Sequence, residues 1–341
     1  MAALGYVYDP FYLEHGVDGH PERPGRLRAI MSHLHDSGLI YSLAAIPARD
    51  ATEEEILLVH TSEMLARVRE ARPTGVSWLD ADTYLVPESY EVAVRAAGGC
   101  LAALEAVNAG DVSAAFCLLR PPGHHATPSQ SMGFCLFNNI AIAAGYGLER
   151  LGLQRVAIVD FDVHHGNGTQ DCFHSDERVL FFSSHQYPFY PGTGHWRERG
   201  RGNIINVPLP PSEGDDAYMA AYREVCAPAL RRFRPQIILV SAGFDAHFAD
   251  PLAQMQVSCH GYYEIAALLR DLAAELCDGR ILFTLEGGYH EVALPWSVHA
   301  CIDALLGNDF TPDPLGIAPR EAEGDVRNVL ASVKEAHNIS N

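Results

Sequence analysis

Apolar and polar positions along the chain fall into a repeating arrangement: a short apolar run, a turn rich in His, Asp and Gly, then a longer stretch with apolar residues at helical spacing. The apolar runs cover residues 113–119, 156–159, 237–241 and 281–285, with a further aromatic strand candidate at 5–8. Helical patterns fall between them at 138–151, 216–233, 260–277 and 292–306. Upstream, Pro24 is placed to open a helix over 26–34, and Thr52 with Glu55 three residues later has the form of a capping box. An alanine-rich helix over 88–108 is stopped by Gly110, while 9–23 and 73–87 read as loops. Strands alternating with helices predict a mostly parallel sheet covered by helices on both faces, with ligands bound beyond the carboxyl ends of the strands.

No fixed-period repeat or low-complexity tract divides the chain, so one α/β domain over 1–310 is expected. After Gly307 the composition turns polar and Pro-rich, and a polar helix candidate at 319–336 makes 311–341 a C-terminal extension packed on or trailing from that domain. A hydrophobic content of 48% with 20% charged residues fits a soluble globular protein. No apolar run is read as approaching the roughly 18 to 20 residues of a membrane span. The first residues lack the basic-then-apolar order of a signal peptide, which points to the cytoplasm and to no membrane partner. The eight cysteines are scattered singly and read as small buried hydrophobes. A net charge of -19 counts against nucleic acid as partner and favours a cationic substrate.

The chemistry sits in the turns. Asp160, Asp162 and His164 follow the run 156–159, and strand alternation would send all three to one side. Two carboxylates in apolar company are costly unless a cation lies between them, so a metal ion is indicated; the alternative is an Asp/His-rich turn closing a buried strand. The other turns bring His124 and His125, Asp245, and Tyr289 after two glycines. Two oxygens and one nitrogen leave a coordination position open for water, whose pKa a metal lowers to about 7. A neighbouring histidine suits the proton transfer, and Tyr289 suits an oxyanion. Spacing does not decide between Asp160 and Asp162 as ligand. Neither a P-loop, nor a dinucleotide fingerprint, nor Gly-x-Ser-x-Gly is present.

Four ordered blocks, Arg120-Pro-Pro-Gly-His-His125, Asp160-Phe-Asp-Val-His-His-Gly-Asn-Gly-Thr-Gln170, Ala242-Gly-Phe-Asp245 and Leu285-Glu-Gly-Gly-Tyr289, resemble the signature of the histone deacetylase superfamily, which includes bacterial deacetylase-like and acetylpolyamine amidohydrolases. The resemblance implies an arginase-like single α/β domain with a central, mostly parallel sheet flanked by helices on both faces, and zinc-dependent hydrolysis of acyl amides. It makes Asp162, His164 and Asp245 the zinc ligands, pairs Asp160 with His124, and gives His125 the role of general base and then acid, oriented by Asn167. Tyr289 becomes the oxyanion donor. Asn167, where class I enzymes carry aspartate, is similar to the class II pattern. Gly133, Phe134 and Tyr190 match the walls of a tunnel for an acyl-lysine stem, with Tyr190 replacing a more usual Phe. Asp82 matches a rim aspartate, and Arg26 an arginine near the product channel. Leu252 matches a tunnel-mouth position that is glutamate in polyamine-selective enzymes. Asp160, Asp162, Ser183 and the backbone at His164 match a structural potassium (K+) site. Three other readings stand beside an acyl-lysine deacylase: an acetylpolyamine amidohydrolase, a manganese hydrolase of arginase type, and a catalytically silent acyl-amine binder. Monomer and dimer are both open.

Overall fold

The fold is described from a computed structural model covering residues 4–71, 73–319 and 325–339. Among the described residues ten strands occur in chain order: β1 (Leu4–Val7), β2 (Leu43–Ala45), β3 (Ser77–Trp78), β4 (Tyr84–Leu85), β5 (Ala114–Cys117), β6 (Val156–Asp160), β7 (Val179–Gln186), β8 (Ile204–Leu209), β9 (Ile237–Ala242) and β10 (Ile281–Leu285). Eight of them form one sheet in the order β2-β1-β5-β10-β9-β6-β7-β8, and every neighbouring pair is parallel. The central strands are continuous apolar runs because both of their faces are covered: all residues of β5, β6, β9 and β10 are buried. This is an α/β fold with a central parallel sheet between helices.

Strand order positions the site. After β6 the chain moves outward through β7 and β8, then returns to fill the space between β6 and β5 with β9 and β10. The four strands that precede the chemistry-bearing turns therefore lie side by side, and their carboxyl ends open on one place.

Where sequence pattern and structure differ, the cause is local. β7 and β8 escaped the pattern because a long irregular connection, not a helix, follows β7. The loop at 9–23 contains a 3-10 turn, Pro10–Glu14, started by Asp9 accepting from Phe11 N at 2.9 Å. The loop at 73–87 contains the small antiparallel pair β3 and β4. The helix expected over 216–233 is Asp215–Ala221, a π turn at Tyr222–Cys226, and Ala227–Phe233. The capping box at Thr52 and Glu55 is formed in both directions, and Gly110 ends helix Ser89–Ala109 with φ 80°.

That 21-residue helix is long and apolar enough to cross a membrane, contrary to the expectation that no run comes close; 67% of its apolar window is buried, and it packs against helix Asn139–Glu149 as a core element. The polar helix expected at 319–336 is Val326–His337, residues 320–324 lying outside the described residues. It buries Leu330 and Val333 and packs on β8, with Arg232 donating to His337 O at 2.7 Å.

Candidate active site

The segment after β6 builds the site by a route other than strand alternation. The strand stops at Asp160, and the chain continues as an irregular turn tied by its own carboxylates: Asp160 Oδ1 accepts from Asp162 N at 3.1 Å, and Asp162 Oδ1 from His164 N at 2.9 Å. Side-chain acceptors two residues back are the natural partners of such turns. From β9, Asp245 Oδ1 accepts Val163 N at 2.9 Å and locks the two turns together.

Asp162, His164 and Asp245 then converge, with one ligand atom from each lying within 4.8 Å of the others. His164 Nδ1 is 3.1 Å from both Asp162 Oδ1 and Asp245 Oδ2. Among the described residues no lysine or arginine pairs with either carboxylate. Burial, and next the charge of Asp162, raise the pKa of Asp245; burial opposes charge on His164, yet Asp162 and Asp245 push it up to about 10. The cluster has an electrostatic demand for positive charge. It also has room: a Cβ at Gly287 would stand 2.2 Å from Asp245 Oδ2 and 2.6 Å from Asp162 Oδ2, so glycine keeps the cradle free while its N–H donates to Asp162 Oδ2 at 2.8 Å. Two carboxylate oxygens and one imidazole nitrogen suit a divalent metal with an open position.

Asp160 stands apart from this cluster. Its Oδ2 is 3.0 Å from His124 Nδ1, and it pairs in register with Ser183 on β7. Burial opposes charge on His124, but Asp162 and Asp160 raise it to about 10. His125 behaves in the opposite way: burial first, then the neighbouring His124 and His164, drive its pKa well below the ordinary value. Its Nδ1 meets Asn167 Oδ1 at 2.8 Å, while the Asn167 amide nitrogen donates to His125 O at 3.4 Å. An acceptor at Nδ1 requires the proton there, which leaves Nε2 free to accept one.

The walls are aromatic. Gly133, Phe134, Tyr190, Leu252 and Asp82 line a cavity of about 230 Å³ whose floor is His124, His125, Asp162, His164 and Tyr289. Gly133 has φ 57°, and a Cβ there would press to 2.5 Å of the His125 ring. The Phe134 and Tyr289 rings meet nearly perpendicularly at 5.9 Å, as do His125 and Tyr190 at 5.1 Å. Asp82 is partly buried, and burial followed by Asp80 raises its carboxyl above the usual range. Arg26 is 5% exposed; it donates to Glu286 O at 2.5 Å and Gly288 O at 2.7 Å and faces the Tyr289 ring at 4.9 Å.

Sequence reasoning gave no role to several buried groups around this cavity. Glu286 accepts from Gly123 N at 2.7 Å and His124 N at 3.1 Å, fixing the histidine pair from below, and burial pushes it up to about 7. Arg120, fully buried, forks onto both oxygens of Glu22 at 2.6 Å and so ties the N-terminal loop to β5. Both Glu286 and Arg120 lie inside the conspicuous blocks, which was the available signal; Glu22 lies in the segment 20–26 that pointed to Arg26, but its pairing with Arg120, 98 positions away, could not be read from it. Asp250 accepts the backbone N–H of Tyr289.

Residues 20–305 match the histone deacetylase domain family. The chain is 39% identical over 350 aligned positions to a probable deacetylase of Archaeoglobus fulgidus, covering 98% of this chain and 95% of the relative. It is 44% identical over 317 positions to a histone deacetylase-like amidohydrolase of Pseudomonas aeruginosa, covering 91% of this chain and 82% of the relative. The crystal structure of the HDA15 HD domain superposes with a TM-score of 0.89 at 37% identity, over 98% of this chain and 94% of that one.

Proposed function

Because the chain belongs to the histone deacetylase family, we propose that it is a zinc-dependent deacylase hydrolysing acyl amides of the acetyl-lysine kind. The observation that carries this reading is the meeting, at the floor of one narrow cavity, of Asp162 and His164 from the Asp-His-Asp cluster, a histidine held through Nδ1 by Asn167, and a tyrosine.

Asp162, His164 and Asp245 would hold the zinc. Bound there, zinc supplies Lewis acidity to the acyl carbonyl and lowers the pKa of a water. His125, its Nδ1 proton held by Asn167 Oδ1, presents an unprotonated Nε2 that would take up a proton and return it to the leaving amine. Asn167 holds the required tautomer without adding negative charge, so His125 stays a weaker base than an aspartate partner would make it. Tyr289 donates its hydroxyl to the developing oxyanion. His124, charged against Asp160, supplies a fixed positive group beside the reacting atoms. Gly133, Phe134, Tyr190 and Leu252 exclude water from the stem of the substrate, and Asp82 receives donors of its outer part. Asp160, Asp162, Ser183 and the His164 backbone would hold a structural potassium ion, which offsets the paired aspartates. A cytoplasmic setting belongs to the same reading, supported by eight unpaired cysteines.

An acetylpolyamine substrate is the second reading. The charge of -19 and Asp82 favour it, whereas Leu252 at the mouth offers no carboxylate to a distant ammonium. A turnover screen of acyl-lysine peptides against acetylated polyamines, with elemental analysis of the purified protein, separates these readings. Turnover of neither series by metal-loaded protein would leave a silent binder or a manganese hydrolase of arginase type.

A further inference from the structure

Asp250 lies beyond Asp245 in the same loop, is 6% exposed, and takes no part in the chemistry described above. Its carboxylate accepts three backbone N–H groups: Leu252 N at 3.0 Å on Oδ1, Tyr289 N at 2.6 Å and His290 N at 3.2 Å on Oδ2. Among the described residues no cation pairs with it. A buried carboxylate is costly and is retained where its bonds hold something the backbone cannot hold alone.

What it holds is the reactive wall of the cavity. Tyr289 follows Gly287 and Gly288, the latter at φ 112°, a pair with little intrinsic stiffness. Its hydroxyl makes no hydrogen bond to protein among the described residues, so its aim depends on the backbone and on ring contacts with Phe134 and Arg26. Arg26 grips this turn by its carbonyls, at Glu286 and Gly288; Asp250 grips it by its N–H groups, at Tyr289 and His290. The other oxygen of Asp250 fixes Leu252. Tyr289 and Leu252 border both the tunnel and an adjoining groove of about 740 Å³ lined by residues of the N-terminal loop, so the two together form the partition between these spaces.

We infer that Asp250 is a positioning residue that clamps Tyr289 and Leu252 to each other, setting the tyrosine hydroxyl at the reacting carbonyl and keeping the tunnel closed toward the groove. The catalytic part of this inference rests on the deacylase reading; the clamp itself does not. In Asp250→Asn only one acceptor oxygen remains, and the amide must present N–H to either Leu252 or Tyr289. Asp250→Ala removes both.

Hydrogen exchange read by mass spectrometry over residues 286–290 tests the clamp whatever the substrate. Faster exchange there in both variants is expected, with exchange over residues 160–165 unchanged and metal content at the wild-type level. On an acyl amide the Asn variant should lose about tenfold or more in kcat with KM changed less than about threefold, and the same change in a Tyr289→Phe background should cost less than about twofold. Unchanged exchange at 286–290 in a folded Asn variant overturns the clamp. Equal losses with and without the tyrosine hydroxyl overturn the positioning role. If wild-type protein hydrolyses no acyl amide, the deacylase reading fails and the exchange measurement still decides the clamp.

Discussion

At the floor of the cavity each histidine is answered by another side chain: His124 by Asp160 at 3.0 Å, His125 by Asn167 at 2.8 Å, His164 by both Asp162 and Asp245 at 3.1 Å. At the mouth Asp82, Tyr190 and Leu252 are partly exposed, and their side chains meet few partners. The floor is over-determined, since shifting one group leaves its neighbour unpaired in a place where that is expensive. The mouth is free to vary at little cost in stability. The difference teaches where reaction type and substrate choice are separately encoded, and substitutions in the two regions should fail in different ways.

The largest effect is expected from Asp245→Ala. It removes one of three cluster groups and the acceptor of Val163 N, so both metal content and turnover should be lost. Elemental analysis showing full occupancy would strike Asp245 from the ligands. Next comes Tyr289→Phe, which keeps the ring contacts and the Asp250 bonds and deletes only the hydroxyl. Turnover should fall on the order of 10² to 10³, the usual cost of one oxyanion donor, with metal content and melting temperature unchanged. Near wild-type turnover would make the tyrosine a packing group.

Outside the cavity lining is the brace formed by Glu22, which accepts both arms of Arg120 and lies 3.4 Å from Arg26. Burial alone would raise Glu22, but Arg120 and then Arg26 bring it down to about 2. A carboxylate whose folded pKa is depressed contributes stability that is complete above its unfolded value near 4.5 and is lost as pH falls toward about 2. Glu22→Gln strands two buried guanidinium groups and should cost about 3 to 5 kcal/mol at pH 7. The gap from wild type should narrow as pH falls from 4.5 toward 2, measured by denaturant unfolding across that window. A gap independent of pH would show that shape, not charge, is what Glu22 provides.

Legibility in the sequence followed the same division. The apolar runs of β5, β6, β9 and β10 were visible because both faces of a central parallel strand are buried, and the turns after them carried Asp, His and Gly in numbers that ordinary loops lack. β7 escaped because no helix follows it. The convergence of Asp162 and His164 was foreseen for the wrong reason, since the turn after Asp160, and not strand alternation, brings them round. Which aspartate joins His164 could not be told from spacing; it depends on Gly287 N–H reaching Asp162 and on His124 claiming Asp160, contacts made across 125 and 36 positions. Glu22 and Asp250 were illegible for the same reason, as each acts on backbone or side chains far along the chain.

The smallest effect, and the sharpest test of the mouth, is Leu252→Glu. Leu252 lines the tunnel beside Tyr289, and its backbone N–H is held by Asp250, so a longer polar side chain can extend from a fixed backbone without disturbing the floor. Leucine offers apolar contact to a lysine stem, worth about 25 cal/mol for each Å² covered. The distant ammonium of a polyamine gains nothing from it. The overall charge of -19 draws any cation toward the protein, but that field is screened within about 8 Å at physiological salt and does not distinguish the two substrate series at contact range. Asp82, the carboxylate already at the mouth, is a weaker substitute, because Oδ1 already accepts from Thr83 Oγ1 at 3.2 Å. Wild type should therefore prefer acetyl-lysine peptides over N-acetylputrescine and acetylspermidine by about tenfold or more in kcat/KM, a difference of about 1.4 kcal/mol. A glutamate at this position should narrow that ratio by improving KM for the polyamines while kcat stays near wild type, since no floor group has moved. Loss of kcat toward both series in the variant would mean that the mouth and the floor are not separable, and a wild-type preference for acetylpolyamines would mean that the ammonium is read by a carboxylate other than one at position 252.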